Sequence, residues 1–201
     1  KHSNIILVGS DGIILDAVKR IDFTQSSVRQ ILPGFKYELP PKQDKSNITE
    51  CDIKTVVDQI KMRSGKRLSA AVLDTVEGAS PLISREIAAF ACGGDTAVDE
   101  LTPIALQRLE AKLGEIKEML LGEGAEPTML LRDGVKPYDF TFMDITQYGF
   151  AVTPKRFGSF SELLDDFYYE KDRFERTRQR SQSLLKLLSN AAARAARKLQ
   201  S

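Results

Sequence analysis

The sequence has few of the side chains that metal centres and nucleophilic enzymes need. Histidine occurs once, at His2, and the two cysteines, Cys51 and Cys92, stand far apart without a CxxC pair. A zinc site of ordinary ligand composition cannot be assembled from this set. The same scarcity excludes Ser-His-Asp and Cys-His nucleophile systems. We therefore expect no metal ion, no cofactor and no enzymatic activity.

Long apolar segments and export signals are also missing. Tryptophan is absent, 42% of the residues are hydrophobic and 28% are charged, a composition typical of a globular protein. No apolar run approaches the roughly 18 residues that a membrane-spanning helix needs. The first residues do not have the charged, apolar and small-residue sections of a signal peptide. We expect a cytoplasmic protein, and because the chain opens at Lys1 without a methionine, we expect it to be a fragment.

Charge is unevenly distributed along the chain. The net charge is only +1, yet residues 171–201 hold nine basic and two acidic residues. The preceding residues are therefore acidic overall. A basic arm on an acidic body is typical of proteins that meet polyanions, although a solvated helix face gives the same pattern.

Strand patterns stand on both sides of a helical region. Residues 4–8 and 13–18 flank a Gly-Ser-Asp-Gly turn and predict a hairpin whose sheet needs further strands. Residues 128–131 and 138–143 predict a second hairpin, with Asp133 and Gly134 in its turn. We expect the two hairpins to belong to one sheet.

An extended connector and four helices are predicted between these hairpins. Residues 31–45 hold three prolines and a glycine, which indicates a connector and a domain boundary. Apolar residues then recur at helical spacing up to residue 121. The predicted helix starts are Asn47 with Glu50 in a capping box, Leu68, Ser80 followed by Pro81, and Thr102 followed by Pro103.

The second and third of these helices, with the turn between them, resemble a helix-hairpin-helix. In that motif a glycine permits a tight turn, and amide groups at the start of the second helix bind a phosphate with help from the helix dipole. Gly78, Ser80 and Arg85 match those parts and are candidate phosphate-binding residues. An ordinary helical hairpin that packs only for stability is the alternative.

Two further groups of residues are interpreted as structural. The carboxylates near the turn give no general-base or metal-binding spacing, so we interpret Asp74, Glu77 and Glu86 as caps and solvated charges. Aromatic residues at helical spacing near residue 170 indicate a core stripe rather than a base-stacking platform. These residues are Phe160, Phe167, Tyr168, Tyr169 and Phe174.

The C-terminal residues predict one long helix that is capped at Phe160 and Ser161. From Phe174 to Lys198, apolar and small residues recur at alternating steps of four and three, the spacing of a coiled coil. We expect the start of the helix to be anchored by Leu163, Leu164, Phe167 and Tyr168. The end is rich in alanine, which buries little area, so we expect it to need a partner helix.

Five ordered motifs make the chain recognisable. It resembles the NFACT family, which includes RqcH-like ribosome quality-control factors and proteins called fibronectin-binding protein A. The motifs are KHSNIILV from Lys1, SSVRQILPG from Ser26, PPKQDK from Pro40, EGASPLISRE from Glu77 and FGSFSELLDDFY from Phe157.

The resemblance implies a binding function rather than a catalytic one. Family members bind a stalled large ribosomal subunit and a tRNA, and they support the addition of alanine tails to the nascent chain. The resemblance therefore implies rRNA and tRNA as partners, and RNA as the source of the phosphates. The candidate RNA-binding residues are Lys1, His2, Gly78, Ser80, Arg85, Arg173, Arg176 and Arg180.

The expected fold is α+β, in four parts. They are the end of an N-terminal β domain (1–46), an inserted helix-hairpin-helix domain (47–125), a β-hairpin segment (126–159) and the start of a coiled-coil arm (160–201). Two alternative functions stay open. One is an adhesin that binds fibronectin, and the other is a DNA-repair glycosylase, which would need a nucleophilic amine or a positioned acid beside a base-flipping pocket.

Overall fold

The structure, a computed structural model, describes residues 4–26, 28–41, 43–122 and 124–199, with side chains up to residue 193. The chain divides into two compact units, Lys1–Asp44 and Lys45–Ser201. The described part is α+β, as predicted, with two small antiparallel sheets. The finer division at residues 46, 125 and 159 stays a prediction.

The first unit is built on the predicted first hairpin. Strands β1 (Ile6–Val8) and β2 (Ile14–Ala17) pair antiparallel. The expected connector is not extended throughout, because it turns at Pro33 and Gly34, where the Phe35 amide donates to the Leu32 carbonyl, and then pairs with the hairpin edge. The Ile14 amide donates to the Phe35 carbonyl, and the Gly34 amide donates to the Ile14 carbonyl. Ile14 and Ile31 are buried as a result.

Four helices form the core of the second unit. They are α1 (Ile53–Lys61), α2 (Leu68–Thr75), α3 (Pro81–Cys92) and α4 (Pro103–Leu121). Ser80 and Thr102 cap α3 and α4 as predicted, each accepting a hydrogen bond from the amide three residues on. The predicted start at Asn47 is wrong. The Asn47 side chain accepts from the Thr49 amide and closes a separate turn, and Asp52 caps α1 instead.

A three-stranded sheet follows α4. Strands β3 (Thr128–Arg132) and β4 (Lys136–Thr141) form the predicted second hairpin, with Asp133 and Gly134 at positive φ in its turn. A further strand, β5 (Val152–Arg156), pairs with the other edge of β3. Sequence reasoning missed β5 because it contains Pro154, a residue that sheets tolerate mainly at their edges. The two hairpins lie in separate sheets, so the expectation of one shared sheet is wrong.

The long helix α5 (Phe160–Leu199) begins where the predicted arm begins and continues without a break. Ser159, not Phe160 or Ser161, caps it, since the Ser159 hydroxyl accepts from the Glu162 amide. Leu163 and Phe167 are buried against Met129 of the sheet. The interpretation of the aromatic residues as a core stripe is wrong for three of them: Phe160, Tyr168 and Tyr169 are 44%, 57% and 66% exposed.

A buried carboxylate ties α3 to the loop that precedes β5. Glu86 is only 1% exposed, and its two oxygens accept from the Thr146 amide, the Thr146 hydroxyl and the Gln147 amide. The expectation that Glu86 is a cap or a solvated charge is therefore wrong. A buried charge is stable only when its lone pairs are satisfied, and this loop satisfies them. Asp74, by contrast, forms an exposed ion pair with Lys66.

Within the described residues, none of the helices combines the length and the apolar character that crossing a membrane requires.

Glu86→Gln is expected to lower the free energy of unfolding by about 2 kcal/mol, because an amide NH₂ would face donors that now meet a carboxylate oxygen. The exposed Glu118 on α4 provides the matched control, and Glu118→Gln should change stability by less than about 0.5 kcal/mol. Urea denaturation followed by circular dichroism measures both. Equal stability of the two variants would contradict the proposed role of the carboxylate.

Protection of the α5 backbone amides from hydrogen exchange is expected to fall from Phe167 toward Leu199. Among the side chains of α5 described up to residue 193, those that are buried lie in the first turns, while Leu184, Leu185, Leu187 and Leu188 are each at least 60% exposed. Helix ends without tertiary packing open readily. Exchange followed by mass spectrometry on dilute protein tests this, and uniform protection to the end of α5 would contradict it.

Candidate nucleic-acid interface

The turn between α2 and α3 contains the predicted glycine and is held by a neighbouring segment. α2 ends at Thr75, and Gly78 adopts φ +73° in the turn. Ser46 pairs with Val76 beside the turn. The Ser46 amide donates to the Thr75 carbonyl, and the Ser46 carbonyl accepts from the Glu77 amide, so Ser46 holds the turn from outside. The hairpin is thus held in place at its tip.

Position 78 favours glycine because of its positive φ angle and not because neighbouring atoms are close. A β-carbon placed on Gly78 would meet no atom within 4 Å. The left-handed conformation itself is costly for residues with a side chain. Gly124, a glycine in a loop, also has positive φ, whereas Gly65 matches both the φ of Gly78 and its open surroundings. Gly65 is therefore the better comparison.

Three backbone amides are available at this turn. Within the described part of the chain, the N–H groups of Gly78, Ser80 and Leu82 meet no hydrogen-bond acceptor. Pro81 has no N–H, and the Ser80 hydroxyl satisfies the Ile83 amide. The unsatisfied donors at the start of a helix carry partial positive charge and attract anions. The turn can therefore accept a phosphate oxygen.

A groove of about 670 Å³ opens beside the turn, between the helices and the three-stranded sheet. Gly78, Ser80 and Arg85, predicted from sequence, all line it. Apolar residues from α4, β4 and the start of α5, including Ile116, Phe140 and Leu164, form most of its other walls, and Glu77, Asp139 and Thr141 also line it. The structure thus brings these three predicted residues to one concave surface.

Arg85 has a role that the sequence did not reveal. Its Nε donates to the side-chain oxygen of Gln147, and its Nη2 donates to the Tyr148 hydroxyl at 3.2 Å. The Tyr148 ring packs edge to face with Tyr138, at a centroid distance of 5.5 Å. Arg132 lies over the Tyr138 ring, 4.2 Å from its centroid. We call these four side chains, Arg85, Arg132, Tyr138 and Tyr148, the Arg/Tyr cluster.

The environment of Tyr148 raises the pKa of its phenol above the ordinary value of 10.0. Burial is the main cause, the hydrogen bond with Tyr138 adds to it, and the Arg85 guanidinium acts in the opposite direction. Because the folded-state pKa is raised, folding favours the neutral phenol of Tyr148. The stability that this phenol contributes is complete below the ordinary pKa and is lost as pH rises through the raised pKa.

The arginines of the arm lie apart from the hairpin turn. Arg173, Arg176 and Arg180 line one concavity along α5 together with Asp172, so the three arginines share one side of the helix. Arg173 pairs with Glu170, and Arg176 pairs with Asp172. Such exposed pairs are weak and exchange readily for a stronger anion. Arg180 has no ion pair among the described side chains.

Some predicted features cannot be placed. Lys1 and His2 lie outside the described residues. Among those that are described, no group of three or more His, Cys, Asp or Glu side chains could hold a metal ion. Both cysteines are unpaired and half-buried, and burial raises the pKa of the Cys92 thiol.

Comparison with known proteins decides the family. The family model described as the NFACT N-terminal and middle domains matches residues 1–201. The chain belongs to this family. The expected resemblance to NFACT proteins is therefore confirmed over the whole sequence.

Curated NFACT relatives carry the name "Rqc2 homolog RqcH". The protein from Bacillus subtilis is 32% identical over 200 residues, which are 99% of this chain and 32% of the relative. The protein from Streptococcus suis is 28% identical over 206 residues, or 99% of this chain and 31% of the relative. The chain thus spans about one third of the length of the curated relatives that it matches.

Two solved NFACT-like structures have similar folds. A fibrinogen-binding protein from Staphylococcus aureus has a TM-score of 0.58 and 28% identity, and the match covers 83% of this chain and 55% of that one. The N-terminal part of a fibronectin/fibrinogen-binding protein from Streptococcus suis has a TM-score of 0.54 and 23% identity, with coverages of 85% and 54%. The second likeness supports the fold alone.

Arg85→Met is expected to raise the pKa of Tyr148 further, because the guanidinium that favours the phenolate is removed. Tyr138→Phe should lower the pKa of Tyr148 toward its ordinary value, because a hydrogen bond that raises this pKa is removed. Spectrophotometric titration of the phenolate measures both changes, with Tyr148→Phe used to assign the signal among the five tyrosines. Arg108→Met on α4 is the control and should leave the curve unchanged. An unchanged curve for Arg85→Met would contradict the observed contact.

Proposed function

We propose that this chain is an RNA-binding part of an RqcH-like ribosome quality-control factor. The protein would bind stalled large ribosomal subunits and tRNA and support the addition of alanine tails to nascent chains. The observation that carries the proposal is the 32% identity to an Rqc2 homolog RqcH along 99% of the chain. The free amides and cations described above supply the chemistry for RNA.

The first contact in this proposal is a helix-hairpin-helix formed by α2, the Gly78 turn and α3. The amides of Gly78, Ser80 and Leu82 would bind a phosphate, and the positive end of the α3 dipole would strengthen that bond. Phosphate oxygens carry the charge of any RNA strand, so this contact would not select a sequence. It would fix the position of the RNA on the protein.

The second contact is the basic arm. Arg173, Arg176 and Arg180 share one side of α5 and would face rRNA. The exposed leucines further along the helix would pair with a second helix in a coiled coil. Pairing would hold the arm straight and keep the arginine side facing outward. The proposed action is binding without catalysis, in the cytoplasm, where ribosomes are found.

A second candidate function is adhesion through fibronectin or fibrinogen. It is favoured by the name of the 28% identical Staphylococcus aureus protein, which is called fibrinogen-binding. An adhesin must be outside the cell. Fractionation of cells that make the endogenous protein separates the two candidates: recovery at the cell surface would favour the adhesin, and recovery with ribosomes would favour the RqcH-like function.

Co-sedimentation with purified large ribosomal subunits tests the proposed function. The wild-type chain is expected to pellet with the subunits at low salt and to be released as salt rises, because phosphate contacts release counterions. Gly78→Val should weaken pelleting about tenfold, since a left-handed valine distorts the turn and its free amides. Gly65→Val, at φ +76° in open space, carries the same backbone strain and should leave pelleting near the wild-type level.

Circular dichroism and urea denaturation must show both glycine variants folded. If wild-type protein does not pellet, the proposed function is wrong for this chain. If both variants are folded and pellet as well as the wild type, the turn is only a structural joint, and RNA contact would depend on the arm.

A further inference from the structure

The Arg/Tyr cluster combines two aromatic rings with two cations, Arg85 and Arg132. Within the described part of the chain, neither Arg85 nor Arg132 forms an ion pair with a carboxylate. Neutral groups hold both: Gln147 and Tyr148 accept from Arg85, and the Tyr138 ring supports Arg132. Their positive charge is therefore oriented but not neutralised.

The strand geometry directs Tyr138 outward. The β3–β4 ladder shifts register between Leu130 and Leu131, where Leu130 faces Asp139 and Leu131 faces Pro137. Tyr138 lies between these two positions without a partner residue on β3. An extra residue of this kind re-aims a side chain, and such bulges are common beside functional sites. Tyr138 is 36% exposed as a result.

Hydrogen bonds from the protein fix the other tyrosine. Glu86 holds the backbone of Thr146 and Gln147, and the Gln147 side chain donates to the Leu82 carbonyl. Tyr148 follows directly, and its hydroxyl accepts from Arg85. The rings are therefore preorganised, so a ligand that stacks on them would not have to order them first.

A planar cation on an aromatic ring is a surface on which nucleic-acid bases stack. RNA-binding proteins use aromatic rings and guanidinium planes to stack unpaired bases, and duplex RNA does not expose its bases in this way. Arg132 on Tyr138 offers one such surface, and Arg85 supplies charge for a neighbouring phosphate. Arg85 also lines the groove beside the Gly78 turn, so the two contacts adjoin.

We propose that the Arg/Tyr cluster is a stacking site for an unpaired base of single-stranded RNA. This inference rests on the proposed RNA-binding function and assigns the unpaired base to residues that the sequence did not indicate. The base stacks on Arg132 and Tyr138, and Arg85 binds the adjoining phosphate. The phosphate-binding turn at Gly78 then contacts the same strand through its backbone.

Binding of a fluorescein-labelled single-stranded RNA of about eight nucleotides tests the site. Tyr138→Ala should weaken binding about tenfold, as expected for the loss of one stacked base. Tyr138→Phe keeps the ring and should bind within about twofold of wild type. Arg132→Lys keeps the charge but loses the planar group, so it should also weaken binding several-fold.

The controls separate stacking from charge and from folding. Phe23→Ala removes an aromatic residue that is 73% exposed in the first unit, and it should leave binding unchanged. Duplex RNA of the same length should bind equally to wild type and Tyr138→Ala. Urea denaturation checks each variant, and if Tyr138→Ala is unfolded, Arg132→Lys carries the test.

A direct reporter follows from the absence of tryptophan in the chain. Tyr138→Trp places a single tryptophan in the cluster, and single-stranded RNA should quench its fluorescence. Equal quenching by poly-glutamate would overturn the proposal in favour of an acidic protein partner. Unchanged RNA binding by folded Tyr138→Ala and Arg132→Lys would overturn it as well.

The outcomes are distinct from those of the ribosome experiment. If wild type pellets with ribosomal subunits and the cluster variants bind single-stranded RNA normally, the stacking site is wrong and the proposed function stands. If wild type fails to pellet but RNA quenches the tryptophan and the cluster variants lose binding, the stacking site stands without the ribosome.

Discussion

The buried carboxylate of Glu86 is the constraint on which the rest of this surface depends. A charge placed at 1% exposure needs donors around it, and the chain supplies them from residues 60 and 61 positions further on. The loop that carries Thr146 and Gln147 is therefore fixed to α3 by hydrogen bonds to this carboxylate, in addition to the apolar packing of Met143 and Ile145 against the helical core. Its next residue, Tyr148, meets Arg85 because of this attachment. β5 then leaves the same loop and completes the sheet on which α5 rests.

Local and long-range interactions divide the fold into what the sequence could predict and what it could not. Ser80 and Thr102 were predictable as caps because each accepts from an amide only three residues away. The asparagine at position 47 carries the same type of signal, yet it closes a turn of its own and leaves the helix start to Asp52. Capping chemistry thus identifies a turn reliably but does not decide whether a helix follows it.

The candidate site shows the same division. Gly78, Ser80 and Arg85 could be found from spacing, since one hairpin positions all three. Tyr138 and Tyr148 could not, because their contact depends on a register shift in one hairpin and on a loop attached to a different helix. The burial of Glu86 was missed for the same reason. An acidic residue on a helix looks solvated until the segment that covers it is known.

The long helix has a mechanical consequence. At 1.5 Å per residue, the 40 residues of α5 extend about 60 Å, while Leu163 and Phe167 at one end supply its buried attachment. Such an element is a lever with a short fixed root. A tilt of about 5° at the root would move the far end by about 5 Å, roughly one helical turn. A small repacking at Met129 would therefore be amplified into a displacement that a distant partner could sense.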